Sequence, residues 1–228
     1  MIQLQSTANV GLDGGIKCLI YGASGVGKTP LCATAPAPII ISAEKGLLSL
    51  RKMNPPIPFI EIRNYGQLYE AYQWAAQSVE GRQFHTLCLD SLSEIAEVVL
   101  TEEKRKTKDP RKAYGAVIDS VIELAKGFRD LPRWNTVCIA KEEYSKDEIA
   151  GTMMFEPMMP GRQLGQKLPY YFDETFRMII GRDTITGKEW RALHTRGSFQ
   201  HVARDRSGNL DEYEQPNLTN IFRKILAI

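Results

Sequence analysis

Apolar residues in this chain gather into short runs, and these alternate with longer stretches in which they recur at helical spacing. Ile16–Tyr21, Pro38–Ser42, Ile57–Ile62, Phe84–Asp90 and Thr136–Ala140 are the runs. Runs this short and this apolar predict strands buried on both faces of a parallel sheet. Between them, Tyr65, Leu68, Tyr72, Ala75, Ala76 and Val79 make one helical stripe. Leu92, Ile95, Ala96, Val99 and Leu100 make a second, and Val117, Val121, Leu124, Ala125 and Phe128 a third. A shorter helix is expected around Leu47, Leu48 and Leu50, closed by Pro55 and Pro56. Strand–helix alternation of this kind predicts an α/β fold.

The character changes after residue 141. Residues 142–168 are polar and carry methionine, glycine and proline, which predicts a long mobile loop. Residues 174–206 read as antiparallel strands turning at Thr186-Gly187, and 217–227 as a closing helix. Residues 1–15 read as a lead-in arm, so a single domain over 1–228 accounts for the order.

Composition narrows the function classes. The chain has 228 residues, 43% hydrophobic and 25% charged, with net charge +2. That balance excludes nucleic-acid binding by bulk charge and leaves local basic patches open. Cys18, Cys32, Cys88 and Cys138 form no C-x-x-C pair, and three lie in strand-like runs. Buried reduced thiols are the expectation, fitting a cytoplasmic setting. Neither a signal peptide nor a membrane span is visible.

The chemistry concentrates at Gly22-Ala23-Ser24-Gly25-Val26-Gly27-Lys28-Thr29, a complete G-x-x-x-x-G-K-[ST] pattern between a strand and a helix that holds Pro30 in its first turn. Glycines let consecutive N–H groups turn inward as an anion nest. Lys28 can neutralise β- and γ-phosphates, and Thr29 can offer a hydroxyl to Mg²⁺. Binding of a nucleoside triphosphate, ATP with Mg²⁺, is therefore expected. Asp90 ends a later apolar strand, where a carboxylate completes the magnesium shell; a plain cap on the following helix is the alternative. Glu44 follows the Pro38–Ser42 strand and either activates water or is an ordinary first-turn helix carboxylate.

Ile40-Ile41-Ser42-Ala43-Glu44 resembles the strand–Asp–Ala–Glu segment of RecA, and the order of phosphate loop, Glu44 and Asp90 is similar to that family. Ser91 leaves no Asp-Glu pair at the second motif. The whole chain resembles phage-encoded, core-only RecA-like ATPases, including the Sak-four type of single-strand annealing recombinase. Pro160-Gly161-Arg162 through Lys167-Leu168-Pro169 and Val202 through Gly208 carry the closer match.

The resemblance implies a RecA-like phosphate-loop core, a mostly parallel sheet flanked by helices with an antiparallel C-terminal extension. It implies a DNA-dependent ATPase in a bacterial host's cytoplasm, promoting annealing or strand exchange on single-stranded DNA as a homo-oligomer, with a single-strand-binding protein as a further partner. Glu44 takes the place of the catalytic carboxylate. Arg204 and Arg206 take that of two lysines that reach a neighbouring subunit's ATP. Lys104, Arg105, Lys106, Lys108, Arg111 and Lys112, in a basic loop over 104–113, take that of the first DNA loop. The 142–168 segment, with Arg162 and Lys167, takes that of the second. Lys141 departs from the polar sensor the family carries.

Other readings stay open. The basic stretch is otherwise a solvated helix end paired with Glu102 and Glu103, and Arg204 and Arg206 are otherwise ordinary surface charges of a hairpin. At the level of function, the alternatives are an ATPase acting on protein partners in DNA replication, such as a helicase loader, a small-molecule kinase, or a nucleotide-binding scaffold.

Overall fold

The computed structural model describes residues 14–44, 46–146 and 151–227. Most of the expected lead-in arm and residues 147–150 of the expected loop lie outside these. Five strands come first: β1 (Lys17–Gly22), β2 (Pro38–Ser42), β3 (Phe59–Glu61), β4 (Thr86–Asp90) and β5 (Asn135–Lys146). They pair in parallel in the order β3-β2-β4-β5-β1, and β7 (Glu174–Arg182) continues in parallel beyond β1. β8 (Glu189–His194) and β9 (Tyr213–Glu214) then extend that edge with antiparallel pairing. The sheet is thus mostly parallel with antiparallel strands towards the C-terminus, as the sequence pattern predicts.

Alternate residues of each strand face opposite layers. Leu19 and Tyr21 of β1 join the core formed with α2 (Tyr65–Gln77), α3 (Leu92–Lys106) and α4 (Pro110–Arg129). Cys18 and Ile20 join the core with α1 (Lys28–Cys32) and α6 (Leu218–Ile225). All four cysteines are free and buried. Caps start the helices where short polar side chains precede the stripes: Asn64 accepts from Gln67 N, Ser91 from Glu94 N, and Asp109 from Arg111 N, with Pro110 in the first turn. Among the described residues, no helix is long and apolar enough to cross a membrane.

Three segments differ from the sequence reading. The stretch 104–113 is not a loop: α3 runs through Lys106 and α4 begins at Pro110, so helical periodicity continues through the basic residues and only 107–109 break it. The described part of 142–168 is ordered structure. β5 continues to Lys146, β6 (Met153–Met158) pairs back on it, and α5 (Arg162–Lys167) follows. Its polar composition reflects the half-exposed faces of a two-stranded ribbon, while Met159, Leu164 and Leu168 of the same stretch reach the main core. In 174–206, only β7 and β8 are regular strands, and residues 195–206 take an irregular path.

That path is tied to the sheet by backbone pairing of Arg204 with Thr175 of β7, which sets Asp205 beside a buried acid. Glu174, at the start of β7, is 1% exposed. Burial and the neighbouring Asp205 carboxylate push its pKa up to about 8. Asp205, despite burial, is held below the usual carboxylate range by the Ser207 hydroxyl and by the N–H groups of Leu210, Gly208 and Ser207. The folded state therefore favours protonated Glu174. Its contribution to stability is full below the ordinary value of 4.5 and is lost as pH rises through about 8. Glu174→Gln keeps a donor towards Asp205 and removes the titration. In urea unfolding from pH 5 to pH 9, the variant should gain on the wild type as pH rises; a constant difference would assign the titration elsewhere.

Candidate nucleotide site

The parallel register brings the functional side chains together. Ser42 pairs with Asp90, and Gly22 with Lys141, so β2, β4 and β1 end at one edge, past which β5 runs on to Lys146. In open parallel sheets this carboxyl edge is where ligands bind. The loop after β1 has φ of 77° at Gly25 and 110° at Gly27, backbone closed to most side chains. Gly22 is needed for a different reason: a Cβ there would lie 2.5 Å from the Met178 carbonyl oxygen of β7. α1 is only five residues long before Ala33–Ala35 tighten into i→i+3 bonds ahead of Pro36. Its dipole is correspondingly small, and the inward N–H groups of the loop carry the anion-binding capacity.

Thr29 Oγ1 donates to Asp90 Oδ2 at 2.6 Å. Asp90 is thus committed to the phosphate loop; the helix cap is Ser91 instead. Burial pushes the Asp90 carboxyl up and Glu44 adds to this, while the Thr29 hydrogen bond and Lys28 pull it down. Lys28 Nζ donates to the carbonyls of Gly22 at 2.6 Å and Ala23 at 2.9 Å. Burial pushes Lys28 below the lysine range, opposed by Asp90 and Glu44. An anion in the loop offers Lys28 a charged partner in place of these neutral carbonyls.

Glu44 is not in a helix. It lies in the bend after β2, where Ser42 Oγ donates to its carbonyl at 2.8 Å, and Ser91 Oγ donates to its Oε1 at 2.7 Å. Ser91 therefore holds the Glu44 carboxylate beside the residue that bonds Thr29. Adjacent hydroxyl and carboxylate oxygens, a mobile ammonium and an N–H nest suit a nucleoside triphosphate with Mg²⁺. Gly22–Thr29 with Lys28 would hold the phosphates, and Thr29 and Asp90 the metal. When bound, the metal supplies charge neutralisation to the phosphate oxygens.

Three features escape a linear reading. Lys141 is the β5 residue opposite Gly22, between the loop and Asp90, and its ammonium pairs with Glu94 of α3. Ser93 Oγ accepts from the Lys141 N–H at 2.9 Å. Arg191 of β8 reaches the loop from the far hairpin and donates through Nε to Val26 O at 3.0 Å. Of these only Lys141 carried a sequence signal, its place after an apolar strand; the strand pairing supplies the others.

The remaining candidates lie elsewhere. Arg204 pairs through its backbone with Thr175, which sits opposite Leu19 towards the amino ends of the strands. Its guanidinium donates to the carbonyls of Pro169 and Phe172. Arg206 pairs with Asp173 at 3.1 Å. Neither joins Lys28 within one chain. Arg162, Lys167 and Arg204 line one cleft of about 870 Å³. Lys104, Arg105 and Lys106 lie at the C-terminal end of α3, with Lys106 paired to Glu103 at 2.6 Å, and Arg111 and Lys112 lie in the first turn of α4.

The fold and the site together define a phosphate-loop nucleotide-binding protein. Its family is the AAA domain family, which matches residues 14–207, and the chain belongs to it. No curated protein matches the chain in sequence. Among solved structures it is similar to a KaiC-like protein from the hyperthermophilic archaeon Pyrococcus horikoshii OT3, with 13% identity and a TM-score of 0.43 over 84% of this chain and 83% of that one. It is also similar to the RadB recombinase, with 14% identity and a TM-score of 0.44 over 84% of each chain.

Arg191 tests how far the hairpin supports the loop. Arg191→Ala should weaken ADP binding by about tenfold, the worth of a charge-assisted hydrogen bond, in isothermal titration. Arg191→Lys should recover part of that loss. An unchanged affinity in Arg191→Ala would make the contact incidental.

Proposed function

We propose that this protein is a Mg²⁺-dependent ATPase that acts on single-stranded DNA and promotes annealing or strand exchange. The observation that carries hydrolysis is the hydrogen bond from Ser91 to Glu44. It sets a carboxylate at the edge of the phosphate site with its second oxygen, Oε2, left to accept a proton from water. Asp90, bonded to Thr29, is engaged with the metal side of the site, so Glu44 is the base.

The placement of the cations supports the DNA reading. Lys104 lies over the Tyr114 ring at 5.4 Å. Tyr114 in turn packs on Gly161, beside Arg162, at 3.4 Å from where a Cβ would stand. The two basic segments, far apart in the chain, thus adjoin through one aromatic ring. A strand of phosphates passing from one to the other would meet cations throughout, with tyrosine available for stacking. Arg204 and Arg206 point away from their own phosphate loop, which leaves them to serve the nucleotide of a neighbouring copy in an oligomer.

Two measurements test this. Glu44→Gln retains an acceptor for Ser91 and should lower ATP turnover by at least about 100-fold with nucleotide affinity within about threefold. A turnover unchanged in this variant would leave a nucleotide-binding scaffold. ATP hydrolysis by the wild type should rise with added single-stranded DNA. The triple variant Lys104→Ala, Arg105→Ala, Lys106→Ala should lose that rise and reduce the salt dependence of DNA binding by up to about three. Equal hydrolysis with and without DNA, and no DNA retained by the wild type, would favour an ATPase directed at protein partners.

A further inference from the structure

A groove of about 170 Å³ runs between α2 and α4, remote from the phosphate loop. Tyr65, Tyr69 and Tyr72 wall it from α2; Glu123, Gly127 and Phe128 wall it from α4. The tyrosines follow i, i+4, i+7 spacing, the pattern of a face that packs on a neighbouring helix. Packing is incomplete, because Tyr69 remains 55% exposed. Tyr69 stacks on Tyr72 with centroids 6.4 Å apart, and Phe128 meets Tyr72 edge-on at 5.4 Å. Gly127 lets the Tyr72 ring lie against the α4 backbone, since a Cβ there would stand 3.4 Å from it.

The electrostatics have one sign. Among the described residues, Glu123 has no ion pair or hydrogen bond, and none of the three tyrosine hydroxyls has a hydrogen bond. Burial and the Glu123 carboxylate push the Tyr65 hydroxyl up in pKa, with Glu103 and Glu102 adding to this and Lys106 opposing it. Lys106 itself is engaged by Glu103. Aromatic faces carry negative quadrupole potential, so rings and carboxylate favour the same charge.

We propose that this groove is a docking site for a single arginine side chain of a partner protein. Its volume suits one side chain and is too small for a nucleotide or cofactor-sized ligand. A guanidinium lies flat on a tyrosine ring while pairing with a carboxylate, and this groove presents both. Charge complementarity with Glu123 selects a cation over a neutral apolar group. The site is independent of the nucleotide reading and stands or falls without it.

The test titrates ¹⁵N-labelled full-length protein with N-acetylarginine methylamide and, separately, with the citrulline analogue, which has nearly the same shape and no charge. The amides of Gly127 and of residues 65–72 should shift saturably with the arginine compound, and citrulline should bind about tenfold more weakly. Glu123→Gln should abolish most of that preference, and Tyr69→Ala should weaken arginine binding by at least about fivefold. Both side chains are exposed, so neither change threatens folding. Equal binding of arginine and citrulline, a preference that survives Glu123→Gln, or no shift with either compound would overturn the proposal.

Discussion

The hydrogen bond from Thr29 to Asp90 is the constraint on which the rest of the site depends. It joins the loop after β1 to the end of β4, yet the two strands are not neighbours, because β5 lies between them. Two strand spacings, about 10 Å, have to be crossed. The glycine-rich loop and the first turn of α1 make that crossing past β5, whose Lys141 lies opposite Gly22. Gly22 permits the close approach to β7 at which the crossing begins, and Gly27 the positive φ at which it turns into α1.

This crossing explains why Lys141 sits where it does. The residue that ends the core of β5 lies beneath the bridge between Gly22 and Asp90, so a lysine there adds a second cation beside Lys28. Glu94 on α3 neutralises it. The site therefore holds alternating charge: Lys28 against Asp90 and Glu44, Lys141 against Glu94. Ser91 and Ser93 bond members of both groups from the first turn of one helix. The cap of α3 is thus also the support of the site, and a local folding signal has acquired a chemical task.

The outer segments follow a different logic. β6 and α5 lie outside the parallel strands; Leu164 of α5 is buried in the main core, Phe155 of β6 packs against it, and polar contacts add to this. Tyr21 OH donates to the carbonyls of Phe155 and Val202 at 3.0 and 2.6 Å. Arg177 pairs with Glu142 and stacks 3.6 Å from the Phe155 ring centroid. These residues tie β1, which carries the phosphate loop, to the 153–167 segment.

Local chemistry determined much of this protein before any folding was considered. Gly22 to Thr29 define an anion nest whatever surrounds them, because glycine backbone freedom and the Lys-Thr side chains are properties of the segment. The apolar runs of β1, β2, β4 and β5 announce a buried parallel sheet, and their ends locate Asp90 and the neighbourhood of Glu44. Polar segments were misleading for a physical reason. The 142–168 stretch looks like a loop because a ribbon outside the core needs no apolar alternation, and 104–113 looks like a loop because charged residues at helix ends hide the periodicity. Only the tertiary structure decided that Ser91 holds Glu44, that Glu94 covers Lys141, and that Arg191 reaches Val26 from 165 positions away. Those pairings depend on which strands are neighbours and in what register, and a chain read one residue after another carries no term for that.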